Sequence, residues 1–251
     1  MRVLALPAAF ILSFILYPIF PRAERLLLDG VEALYRRFCA RLGDSLRTLR
    51  LFLLLLGVCA SFLGSLHPAI AALLMTPLFT FSSVFPGCAA MKASLDSGKF
   101  ARDIPAYEDN VRKTCASLAP ASVAGAAAPL LLCAAGLPLY IGCGFGWVYF
   151  ALRQLYPLSK NAQRILVLIL RLSDKLFSFL LALCAGLVGR NPVHASGHGA
   201  EARLMNLLSI APDAKDARAP MSGDISQAAF LCCFCMALLC FMLTVAGFAL
   251  C

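Results

Sequence analysis

Long apolar runs of membrane-span length alternate along this chain with arginine-rich stretches, and that alternation limits the fold before any motif is read. A span needs roughly 20 mostly apolar residues, and lipid offers no partner for exposed backbone polar groups, so such runs must be helical. Of the 251 residues, 61% are hydrophobic and only 14% charged, against about a quarter charged in ordinary soluble domains. The expectation is an all-α polytopic membrane protein, a single integral domain of five or six spans with amphipathic cytoplasmic helices.

The first run, 3–20, leads straight into Pro21-Arg22 with no small-residue cleavage site, and reads as a retained anchor. The next apolar stretch is too long for one span. His67-Pro68 is the expected break, because proline cannot continue a helix and restrains the residue before it, giving spans near 49–66 and 68–86. The block 120–152, interrupted by Gly136-Leu137-Pro138, is either a tight helical hairpin or one broken span. The stretch 165–189 carries Arg171, Asp174 and Lys175, so its first half is expected at the interface and only 176–189 in lipid. The last span is 225–250.

Charge sits between these runs. Residues 21–50 hold seven arginines against four acids, with apolar residues at helical spacing. An amphipathic helix over 22–48 follows, cytoplasmic by the positive-inside rule. A second is expected over 92–118, with a polar loop over 190–224. The net charge of +9 therefore reflects topology and anionic lipid. No aromatic-interleaved basic surface points to nucleic acid.

Twelve cysteines invite a metal or redox reading, and Cys232-Cys233-Phe234-Cys235 contains a C-x-x-C spacing. That spacing falls mid-span without a second ligand pair, so the cysteines are expected to pack as small apolar residues, with no metal or redox cofactor. His194 and His198 form H-x-x-x-H in a loop-like context: a metal pair, a ligand-contacting loop or a solvated one. The glycines at 142–146 lack a dinucleotide-binding spacing, and in a membrane helix they suit close helix packing.

Four stretches carry a resemblance that extends over most of the chain. They are Leu95 to Arg102, Gly125 to Leu131 with its Ala128-Pro129-Leu130, Gly189-Arg190-Asn191-Pro192 through Glu201-Ala202, and Gly223-Asp224-Ile225 through Ala228. In order and content they resemble the membrane-bound cobalamin-biosynthesis proteins of the adenosylcobinamide-phosphate synthase type, in which the first stretch opens a helix. The resemblance implies a ligase that joins adenosylcobyric acid to aminopropanol phosphate with ATP and magnesium, at the cytoplasmic membrane. Carried over to this chain, it implies Glu201 and Asp224 as catalytic acids and Arg102, Lys113, His194, Ser196 and His198 as substrate or phosphate contacts.

Several of the family's acidic motifs are replaced here. Its Glu-Asn and Asp-Gly pair falls on Pro120-Ala121 and Ala124-Gly125, and its Asn-Thr-Leu-Asp run falls near 141–146. A second expectation stands beside the first: a non-catalytic regulatory membrane protein of the same fold, similar to relatives implicated in β-lactamase induction, working with a membrane or enzyme partner. The cluster Glu108-Asp109 and Arg112-Lys113 fits either a site or ordinary surface pairing four residues apart. A transporter is disfavoured, because no span carries a buried charge pair.

Overall fold

The computed structural model describes residues 4–16, 20–76, 81–98, 103–134, 139–155, 160–187, 199–212 and 217–249. Among these the regular structure is entirely helical: α1 (Ala5–Ile15), α2 (Phe20–Leu42), α3 (Leu46–Leu66), α4 (Pro68–Met75), α5 (Phe81–Asp96), α6 (Ile104–Ala134), α7 (Leu139–Leu155), α8 (Lys160–Leu187), α9 (Ala200–Leu207) and α10 (Ser222–Ala249). The chain divides into two compact units. Unit 1 comprises Met1–Phe79, Ala128–Arg171 and Cys240–Cys251, and unit 2 comprises Thr80–Ala127 and Leu172–Leu239.

In unit 1, α3 begins at Ser45, whose hydroxyl accepts the Thr48 N–H at 3.2 Å, and it ends at His67. There the imidazole Nδ1 accepts the Ala69 N–H at 3.1 Å and Pro68 takes the first helical position of α4, so one residue stops a helix and caps the next. The break expected at His67-Pro68 is where the helix breaks. The amphipathic character expected of 22–48 is present in α2, where Val31 and Tyr35 are buried and Arg36, Arg37 and Arg41 exposed, but the helix stops at Leu42, before Gly43 at φ +78°, and residues 46–48 open α3 instead. Tyr35 packs edge-on against Phe52 of α3, 5.3 Å between centroids.

The broadest helix contact of unit 1 joins α3 to α7, and small residues make it. A Cβ on Gly57 would meet Val148 at 3.0 Å, and one on Gly64 would meet the Cys143 sulfur at 3.3 Å. Small residues at such a contact let the two backbones approach closely. The Trp147 indole donates to the Leu74 carbonyl at 3.1 Å, fastening α7 to α4.

In unit 2, the buried positions of α6 (Val111, Cys115, Leu118, Ser122) and of α10 (Ile225, Ala228, Cys232, Cys235, Leu239) recur at helical spacing. Most of the described cysteines pack inside the helices, while Cys59 is exposed. Cys88, Cys115, Cys184, Cys232 and Cys235 are buried free thiols, and among the described residues no three His, Cys, Asp or Glu side chains gather as a metal site.

Two expectations change. The stretch 92–118 is not one helix: α5 closes through Gly98 at φ +77° and α6 opens at Ile104. Leu95 to Gly98, expected to open a helix, therefore ends one, and a positive φ makes glycine the natural residue for that stop. The polar loop 190–224 contains α9. Of the described helices, two are long and apolar enough to cross a membrane, Leu46–Leu66 and Ser222–Val245. Helix α1 is apolar but shorter, at 11 residues.

Candidate functional site

The polar residues of unit 2 converge on the segment 199–226, and local chemistry explains each attachment. Gly199 adopts φ +108°, and a Cβ there would lie 3.0 Å from Asp174 Oδ2, so only glycine fits. The other Asp174 oxygen accepts the Ala200 N–H at 2.9 Å, satisfying an amide at the start of α9. Arg203, one turn on, donates to the Ser178 carbonyl at 2.9 Å. Between these bonds α9 and the turn after it bury Leu204, Leu207, Leu208 and Ile210.

Helix α6 holds the far end of the segment. Arg112 donates through Nε to the Ile210 carbonyl at 3.2 Å, and the Tyr107 hydroxyl accepts the Ser222 N–H at 2.9 Å. Lys92 of α5 donates to Ser226 at 3.0 Å.

Asp224 lies at the third position of α10 and is 2% exposed. One of its oxygens accepts the Met221 N–H at 2.8 Å and Arg218 Nη1 at 3.0 Å, and the other accepts Arg218 Nη2. An acid that reaches back to the amide just before its helix is half of a capping box, and its charge is favourable at a helix start. The same charge reaches Cys115, whose thiol is pushed up to about 12 by burial first and by Asp224 and Cys88 after it.

This geometry distributes the residues expected from the sequence. Asp224 is closed off by a bidentate guanidinium and does not fit a magnesium ligand. Glu201 is exposed in the first turn of α9. Lys113 is exposed and paired with Asp109 at 2.6 Å, beside the Glu108–Arg112 pair at 3.3 Å, so the cluster follows the four-residue surface pairing weighed from the sequence. Lys113 also lines, with Cys88, Asn110, Thr114 and Ser117, a hollow of about 360 Å³ between α5 and α6. Arg102, His194, Ser196 and His198 lie outside the described residues.

No family model, curated protein or solved structure matches the chain.

Sequence reasoning missed Arg218, Tyr107 and Asp174. No local spacing links Tyr107 or Asp174 to partners that are 115 and 26 positions away. Arg218 carried a weaker signal, a lone arginine shortly before an acidic helix start.

Proposed function

We propose that the chain is a non-catalytic, multi-pass protein of the cytoplasmic membrane, arranged like the adenosylcobinamide-phosphate synthase type, with five or six spans and a folded polar segment that serves as a contact or sensing surface. The observation that carries this is Asp224. The resemblance would use it to hold magnesium for ATP chemistry, yet its carboxylate is buried and occupied by Arg218 and a backbone amide. Withdrawing it would strip the helix-start amide of its acceptor and Arg218 of its partner, a cost of about 1–2 kcal/mol with the guanidinium partly solvated. Membrane residence is supported by α3, where Leu51, Leu54, Leu55, Val58, Phe62 and Leu66 are all exposed, an apolar surface that water would not tolerate.

The synthase reading is kept for one reason: Glu201 is a solvent-facing acid at the start of α9. In that reading the ligase would take adenosylcobyric acid, aminopropanol phosphate, ATP and magnesium, with magnesium held elsewhere than on Asp224. Complementation separates the two. The chain is expressed in a bacterium lacking its own synthase, supplied with cobyric acid and selected for cobalamin-dependent growth, with cobinamide as rescue control. No growth, with the protein present in the membrane and cobinamide rescuing, is the expected result. Growth that survives Asp224→Asn but not Glu201→Gln would replace the non-catalytic reading with the synthase one.

A further inference from the structure

Unit 1 carries an open groove of about 600 Å³ along the α3–α7 contact. We propose that it binds one hydrocarbon chain of a membrane lipid, entering from the leaflet at the His67 end. The inference rests on the membrane reading above.

The packing fixes the direction of the groove. Gly64 faces Tyr140, whose Cα is 3.7 Å from the glycine's Cβ position, and Gly57 faces Val148, so the two helices run antiparallel. Ser65 and Tyr140 therefore share one end of the lining, Ser61 lies midway against Gly144, and Leu53, Leu54 and Val148 share the other end. An almost wholly apolar lining with the hydroxyl-bearing Ser65 and Tyr140 at one end suits a hydrocarbon chain whose ester region lies at Tyr140.

Size selects the occupant. From Leu53 to Ser65 the lining advances roughly 18 Å along a helix axis, close to the roughly 15 Å of hydrocarbon in one leaflet. At about 30 Å³ for a water-sized group, the volume admits on the order of twenty such groups, which is one acyl chain. A second copy of this chain is disfavoured as occupant. A partner helix would need small residues for close approach, and Gly57 and Gly144 already face each other across α3 and α7. What faces outward is Val58, Phe62 and Phe145, all exposed.

The test uses the full chain in bilayers of phosphatidylethanolamine and phosphatidylglycerol containing a trace of lipid with a photoreactive diazirine at mid-chain. After irradiation, adducts are mapped by peptide mass spectrometry. Adducts are expected on Leu54, Val58 and Phe145, in preference to Leu51, Leu55 and Leu63 of the same helix. Ser65→Trp, which fills the Tyr140 end, should lower groove adducts roughly tenfold, as expected for about two methylenes left unburied, while Leu63→Trp should leave them unchanged. Adducts spread evenly over α3 would overturn the groove and leave the membrane reading standing, as would cross-links between copies in place of lipid adducts. Protein released by alkaline carbonate and carrying no adduct would overturn both. The wild-type adduct pattern decides the matter even if Ser65→Trp fails to fold.

Discussion

Gly144 lies so close to Gly57 that a Cβ added to Gly144 would stand 2.5 Å from the Gly57 carbonyl oxygen, with Ser61 Oγ nearer still. Backbone against backbone leaves nothing flexible to move aside. The pair therefore sets the distance between α3 and α7, and through α7 it also sets where Trp147 meets α4.

Gly144→Ala should consequently separate the helices and destabilise the protein by about 1–3 kcal/mol or more, the range for overpacking a tight site. Gly30→Ala is the contrast. Nothing lies within 4 Å of a Cβ at Gly30, and alanine gains up to about 1 kcal/mol of helix propensity there. Thermal unfolding in detergent should lower Tm for the first and hold or raise it for the second. Equal Tm for Gly144→Ala and wild type would refute the contact.

The Arg218–Asp224 pair predicts an asymmetry. Arg218 is 38% exposed and its partner 2%. Arg218→Ala strands a buried carboxylate, whereas Asp224→Asn frees a guanidinium that reaches water and keeps an acceptor for the Met221 amide. Removing one partner of a fully buried pair costs about 3–5 kcal/mol. With Arg218 partly solvated, about 2 kcal/mol is expected for Arg218→Ala and about 1 for Asp224→Asn. Chemical denaturation of both single variants and the double variant measures this, and the reverse order would show that Asp224 is not desolvated.

Cys115 gives a pH dependence. Its thiol is held neutral up to about 12 by burial and by Asp224, while in an unfolded chain it ionises near 8.5. The fold's advantage is thus intact below about 8.5 and declines as pH rises from there toward 12, because only the unfolded state sheds the proton. Burial raises the Tyr35 phenol as well, which adds a similar loss above pH 10. Tm should fall between pH 9 and 11, and less steeply for Cys115→Ala than for wild type. Parallel slopes would mean that Cys115 titrates freely in the fold.

Where the sequence was legible, a local rule was enough. The stop at His67-Pro68 follows from proline's geometry, the α6 ion pairs follow from four-residue spacing, and Gly144 follows from glycine density in an apolar helix. The α5–α6 break was illegible because apolar spacing runs on through 92–118, and the interruption depends on the left-handed φ of Gly98, a conformation open to every glycine. Asp224 was singled out from the sequence as an acid at a helix start, but its partner was hidden. Whether an acid at a helix start binds a metal or caps the helix depends on what stands opposite, and here that is Arg218.

Cys59 decides the membrane question most directly. It is exposed near the middle of α3, among the leucines that face outward. Maleimides react with the thiolate, which needs water to form, and a bilayer core supplies none. In single-cysteine variants, a sulfonated maleimide should leave Cys59 unmodified in intact membranes and label it once detergent or denaturant admits water. Cys39, half-buried in amphipathic α2, should label only when the cytoplasmic face is open, as in inverted vesicles. Prompt labelling of Cys59 in intact membranes from either side would place α3 in water, and its exposed apolar face would then require a protein partner rather than lipid.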